Sequence, residues 1–298
     1  MNAKLFLLHA LSPLHAGTGR GVGVIDLPIA REKATGIPYL PGSSLKGVLR
    51  DACENEIKRI RVFGPETDNA DAHAGAVNFS DLRMLLFPVR SLRGTFAWVT
   101  SPLLLHRLQR DDGAAGDALL SAAVPALQDD EECLIAQEGC QITNNNQQVI
   151  LEDLPLDASA SKDVSIWAKK LGEQLFPGDD EDGQYWRSAL TGRLCLVSDD
   201  TMGFLLETST EVVARIALEE ETKTVKDGAL WYEESLPAES VLCGMVSATT
   251  VKESGAAPPE VFRTVREITQ KPLQVGGSAT VGRGLCRMQI VGVEEAGS

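Results

Sequence analysis

The sequence predicts an α+β fold built on a mainly antiparallel sheet. Three observations carry this. Short alternating apolar stretches recur at both ends of the chain, single amphipathic helices separate them, and glycine- or proline-rich punctuation bounds each one.

The stretch KLFLLHALSPLHA alternates loosely and reads as a first strand. It is short and His9 interrupts it, so it is expected to be a strand rather than a secretory leader. HAGTGRGVGVIDLPI follows as a loop, with Gly17, Gly19, Gly21 and Gly23 at alternate positions. Residues 36–42, GIPYLPG, form a second irregular stretch held by Pro38 and Pro41. SSLKGVLRDACENEIKRI then places Leu45, Val48, Leu49, Ala52, Cys53, Ile57 and Ile60 on one helical face, with Ser43 or Ser44 as N-cap. Lys46 and Arg50, four apart, share a face near the start of this helix.

GAVNFSDLRMLLFPVRS predicts a strand, a bend and a second strand. Residues 107–200 carry DDGAAGD, QDDEEC and GDDEDG between short helical pieces such as SIWAKKLGEQLF. This middle is expected to be acidic, loop-rich and peripheral, its acid runs forming solvated faces. EF-hand spacing is absent from it. From Thr210 the pattern turns to β, and Lys226-Asp227-Gly228 reads as a hairpin turn between two strands. VFRTVREITQKPLQ reads as a helix stopped by Pro272, and VGGSATVGRGLCRMQIVGV as a second glycine loop entering a last strand.

Composition excludes several classes. Hydrophobic residues make up 43% and charged residues 23%, the balance of a globular chain with a real core. No apolar run approaches the roughly 18–20 residues that span a bilayer, so no membrane partner is expected. Six cysteines without a CxxC pair, beside four histidines, argue against a zinc cluster or a disulfide framework. Reduced, buried thiols in a cytoplasmic protein are the expectation.

The net charge of −14 hides an asymmetry. Residues 1–64 hold nine Lys/Arg against five Asp/Glu, residues 263–287 hold five against one, and the remainder holds 14 against 36. Both ends are therefore basic, and a local basic surface can bind a polyanion while the acidic remainder keeps the chain soluble.

The first glycine stretch is neither a dinucleotide fingerprint nor a P-loop, because the sixth-place glycine and the GK[ST] ending are both missing. A long, glycine-eased turn and a backbone cradle for phosphate both fit it. Arg20, Arg31 and Lys33 flank this loop, and Arg283 and Arg287 flank the second. The helix entered through Pro41-Gly42 offers free N–H groups with Lys46 in its first turn. Asp26 is the exception in these basic surroundings. It is either a surface turn residue or a carboxylate that holds a metal or handles a proton. His15 ends a strand, where a bond to a backbone carbonyl is the commoner role.

HALSPLHAGTGRGVGVIDLPIAREKATGIPYLPGSSLKGVLRD strongly resembles the opening of the RAMP superfamily, and more narrowly the backbone subunits of type III-B (Cmr) CRISPR–Cas effectors. ETKTVKDGALWYEESLP and QVGGSATVGRGLCRM match the later blocks in the same order, while the acidic middle carries none of the resemblance. The resemblance implies an RRM-like ferredoxin fold, the palm, over residues 1–106 and 201–298. A β-hairpin thumb would lie near 211–242, with 107–200 as a lid-like insertion. It further implies copies stacked head-to-tail along a CRISPR RNA, beside other Cmr effector subunits. Together they would hold a complementary target RNA and cut it at regular intervals, with a divalent metal, Mg2+ or Mn2+.

By the same resemblance Asp26 is the cutting residue and the metal ligand. Tyr232 and Glu234 lie near the cut, with Glu233 the alternative to Glu234, and His15 is a second proton-transfer candidate. Gly17, Gly19, Arg20, Gly42, Ser43, Ser44, Lys46, Arg50, Gly276, Gly277, Gly282, Arg283 and Gly284 are expected on RNA. A scaffold of the same kind without cutting activity, or a small-molecule enzyme using the glycine loops for a nucleotide phosphate, are the rival expectations.

Overall fold

A computed structural model describes residues 2–292, apart from 20, 22–23, 66–73, 117–119, 121, 138–139, 220–221, 223–224 and 252–254. The chain enters on β1 (Asn2–Ala10) and, after the first glycine stretch, returns to the sheet at β2 (Tyr39–Leu40). Helices α1 (Gly42–Asp51) and α2 (Glu56–Phe63) follow, then β3 (Val77–Phe79), β4 (Leu82–Arg90) and β5 (Phe96–Thr100). Next come α3 (Pro102–Ala115), β6 (Glu132–Ile135), β7 (Gln148–Leu151), β8 (Leu154–Ala160), α4 (Lys162–Leu175), α5 (Glu181–Arg193) and β9 (Leu194–Leu196). Helix α6 (Asp199–Thr208) leads into the ribbon of β10 (Glu211–Leu218) and β11 (Val225–Ser235). The order ends with β12 (Val241–Ala248), α7 (Pro258–Thr269), β13 (Leu273–Gln274) and β14 (Leu285–Ile290).

The centre of the sheet runs β14-β1-β12-β4, every neighbour antiparallel. With α1 and α7 this is a β-α-β-β-α-β path in the spatial order of a ferredoxin-like sheet. Residues Leu5 to Ala10 of β1 are buried without alternation, in an inner strand paired on both edges by β12 and β14 and packed against α3. The sheet is mixed: β5 pairs in parallel with β9, and β6 in parallel with β8. No helix of the described residues is long and apolar enough to cross a membrane. All six cysteines are free and buried.

Several expectations are corrected. The helix predicted from Ser43 to Ile60 is two helices. The break spans about one turn, so the apolar period continues in phase across it and cannot reveal it. Asn55 caps α2 by accepting from the Lys58 N–H at 3.0 Å, and Ile57, expected inside, is 70% exposed. The cap of α1 is Pro41, so Ser43 and Ser44 sit in the first turn, exposed.

Lys226-Asp227-Gly228 is not the ribbon's turn but part of β11. Between the Ile216–Leu230 and Leu218–Val225 pairs the register slips, and Gly228 at φ +69° sits in that irregularity. The Asp-Gly signal was therefore local and real, but it marks a bulge. The acidic middle is not loop-rich: four strands and two full helices fill 132–196. Nor are all its acids solvated. Asp111 is buried and bonds Arg83 and Arg110, and the buried Asp112 accepts from the Leu120 N–H at 2.7 Å.

Candidate nucleic-acid interface and cleavage site

Both glycine loops close on His15. Its Nδ1–H donates to the Glu234 carbonyl at 2.6 Å, which leaves Nε2 directed at Gly17. A Cβ at Gly17 would stand 2.4 Å from that Nε2, and one at Gly277 would stand 2.9 Å from the ring's Cδ2. The Gly277 N–H donates to the His15 carbonyl at 2.9 Å, and Gly276, at φ +78°, passes so close that a Cβ would stand 2.4 Å from the same oxygen. These glycines let two backbones lie against one ring. The ring itself is 8% exposed. Farther along the second loop, Gly282 (φ +82°) and Gly284 (φ +76°) turn the chain back to β14, while Arg283 pairs with Glu211 of β10 at 2.8 Å. Gly19 stands in open space at φ +98°. Arg20 lies outside the described residues.

The segment from Asp26 to Ile29 lies along β11 as a short strip. Leu27 forms a parallel bridge with Glu233. The Leu27 N–H donates to the Tyr232 carbonyl at 3.0 Å, and the Glu234 N–H donates to the Leu27 carbonyl at 3.0 Å. Side-chain carboxylates finish the strip at both ends. Asp26 Oδ2 accepts from the Tyr232 N–H at 2.8 Å, and Glu234 Oε2 accepts from the Ile29 N–H at 3.1 Å. Asp26 is exposed, and its Oδ1 has no hydrogen-bond partner among the described residues. It opens onto a cleft of about 400 Å³ lined by Gly21, Leu27, Gly228, Leu230 and Trp231. Tyr232 is 40% exposed on the ribbon.

Successive strand residues point to opposite faces, so Glu233 and Glu234 serve different loops. Glu233, 5% exposed, accepts from Ser278 of the second loop at 3.1 Å and faces Arg215 at 3.4 Å. Glu234, 3% exposed, takes Arg31 Nη2 at 2.6 Å and the Thr210 hydroxyl at 2.9 Å on Oε1, besides Ile29 on Oε2. A carboxylate so enclosed holds structure together and is not open to a substrate.

At the start of α1, a Cβ on Gly42 would stand 2.4 Å from the Phe79 carbonyl, so the helix begins close against β3. The Gly42 N–H donates to Asp81 Oδ1 at 2.9 Å, so one of the orphan helix donors is already taken by the chain itself. Arg50 Nη1 donates to the Gly64 carbonyl. Lys46 is half-buried with no ion-pair partner among the described residues. Burial, and secondarily the Arg50 cation, hold its ammonium below the usual lysine range. Such a cation is suited to an incoming anion.

Sequence reasoning noted Arg31 only as a flanking charge and missed Thr210, Ser278, Asp81 and Trp231. Arg31, Thr210, Ser278 and Asp81 act through partners 203, 24, 45 and 39 residues away, and a single sequence shows no such pairing. Trp231 alone carried a local sign, as an aromatic in LWYEE. The described residues bring no three His, Cys, Asp or Glu side chains together as a metal cluster. Asp26 Oδ1 by itself suits a hard divalent cation that completes its shell with water and phosphate oxygens, the usual manner of Mg2+.

A ferredoxin-like sheet carrying two glycine loops beside a long ribbon defines the class. The RAMP superfamily model matches residues 7–287, and the chain belongs to that superfamily. Over 303 aligned residues it is 37% identical to the CRISPR system Cmr endoribonuclease Cmr4 of Pyrococcus furiosus, covering 100% of this chain and 98% of that one. The CRISPR system CMR subunit Cmr4 of Saccharolobus solfataricus is 24% identical over 96% of both chains. Among solved structures, oligomeric Cmr4 from Pyrococcus furiosus superposes with a TM-score of 0.72 at 32% identity, covering 97% of this chain and 99% of that one.

Proposed function

We propose that this chain is the RNA-cutting backbone subunit of a type III-B (Cmr) CRISPR effector. It would stack head-to-tail along a CRISPR RNA beside other effector subunits and cut the paired target RNA once per copy. The observation that carries this is Asp26: an exposed carboxylate, fixed through Oδ2 by the Tyr232 N–H, with Oδ1 open to a cleft. The relative from Pyrococcus furiosus, named a Cmr endoribonuclease, supports the same activity.

In an A-form duplex the 2′-OH does not lie in line with the leaving oxygen. The β10–β11 ribbon, inserted into the duplex, would splay one nucleotide so that the two come into line. Alignment of this kind can contribute up to roughly 7–11 kcal/mol. Asp26 Oδ1 would accept the proton from the 2′-OH as O2′ bonds to phosphorus. The P–O5′ bond breaks, O5′ takes a proton from water, and the products are a 2′,3′-cyclic phosphate and a 5′-hydroxyl. In the alternative role Asp26 Oδ1 would hold a divalent ion, which would supply neutralisation of the developing charge, and the 2′-OH proton would then pass to water. Tyr232 fixes Asp26 through its backbone and offers its exposed phenol to the splayed nucleotide. His15 and Glu234, both enclosed, would position the loops and touch no reacting atom.

Lys46 and the first turn of α1, with the second glycine loop, would hold guide phosphates. These contacts read shape, because base pairing reads sequence. The decisive test is target cleavage by the assembled complex, wild type beside Asp26→Asn, with and without a metal chelator. Regularly spaced products that vanish in the variant while guide RNA stays bound support the reading. Unchanged products would leave the chain as a scaffold along which another subunit cuts.

A further inference from the structure

Resting on the reading of Asp26 as the cutting group, we infer that Arg31 is a positioning residue for the cleavage site, acting through Glu234. Arg31 is held from three sides. Its Nη1 donates to the Gly36 carbonyl at 3.0 Å, and its Nη2 donates both to the Leu206 carbonyl at 3.0 Å and to Glu234 Oε1 at 2.6 Å. It therefore ties together the hairpin that follows Asp26, the C-terminal turn of α6 and the base of β11. The Leu206 carbonyl belongs to the negative end of a helix, which favours a cation there.

The tie reaches Asp26 in two short steps. Glu234, fixed by Arg31 and Thr210, accepts the Ile29 N–H and so closes the far end of the strip. The near end is Asp26 itself on the Tyr232 N–H. Asp26 lies on an exposed loop, where a carboxylate would otherwise sample many positions. The buried cluster below is what sets the loop's register against β11. Arg31 suits this better than lysine, because its planar fork satisfies three acceptors at once. It lies about a quarter exposed with its guanidinium already engaged by three acceptors of the chain itself, so it is a strut and not a spare phosphate clamp.

The assembled complex tests this with Arg31→Met, Arg31→Lys, Thr210→Val and Asp26→Asn, scoring guide affinity, target affinity and single-turnover cleavage separately. A loop displaced by about an ångström is expected to slow cleavage up to about 100-fold. Arg31→Met should show that loss while both RNA affinities stay within about twofold of wild type. Arg31→Lys and Thr210→Val should fall between Arg31→Met and wild type. Wild-type cleavage by Arg31→Met overturns the inference, and so does a loss of rate matched by an equal loss of RNA affinity. If Arg31→Met does not assemble, the two milder variants decide: intermediate rates with intact binding support the strut, and wild-type rates overturn it. Asp26→Asn separates the two levels. If it cuts normally, the cleavage reading itself fails. If it is dead while the Arg31 variants cut normally, only the present inference fails.

Discussion

The Tyr232 backbone N–H donates to Asp26 Oδ2 at 2.8 Å, so a strand of the ribbon and the carboxylate of a glycine loop are joined directly. A ribbon that moves on RNA would carry the carboxylate with it. The bond predicts a difference between two variants. Asp26→Asn keeps a carbonyl oxygen that accepts the same N–H, and thermal unfolding should place its stability within about 0.5 kcal/mol of wild type. Asp26→Ala removes the acceptor and should lower stability by about 1 kcal/mol. Equal stability of the two variants would show that the bond does not anchor the loop.

The close approach at His15 makes a second prediction. Gly17→Ala forces a Cβ toward His15 Nε2 and should destabilise by about 1–3 kcal/mol. In a His15→Ala background the ring is gone and the same change should be better tolerated, with a coupling of about 1 kcal/mol or more. A double-mutant cycle by chemical denaturation measures it. Additive effects would mean that the first glycine loop does not rest on the ring.

Much of this site was legible in the sequence, and the rest was not for identifiable reasons. The glycine spacing gave the loops, and the apolar stretches gave β1 and β4. The phase-preserving gap at 52–55 hid the break between α1 and α2, and the bulge at Gly228 imitated a turn. The choice between Glu233 and Glu234 could not be made on the chain, because it depends on which loop each face of β11 meets. The structure gives each glutamate its own loop, so the choice was not between a functional and an idle residue.

That division makes a third prediction. Glu233→Ala frees Ser278 and should speed amide exchange across 276–284 while leaving 27–31 protected. Glu234→Ala frees Ile29, Arg31 and Thr210 and should do the reverse. Hydrogen exchange resolved by peptide distinguishes them. Exchange rising in both segments for either variant would show one cooperative unit in place of two separately held loops.

Lys46 gives the last prediction, with its sign set by burial. Desolvation first, and Arg50 second, hold its ammonium below the usual lysine range in the free protein. The folded protein therefore releases this proton at a lower pH than an ordinary lysine does. RNA phosphate favours the charged form, so guide affinity should be greatest below that depressed value and should fall as pH rises through it. An exposed lysine would lose affinity only at more alkaline pH. Lys46→Arg stays protonated throughout and should flatten the alkaline limb, whereas Lys46→Ala should weaken binding at every pH and reduce its salt dependence by about one counterion. Guide binding measured from neutral to alkaline pH at two salt concentrations tests all three chains, and an alkaline limb that survives in Lys46→Arg would assign the titration to another group.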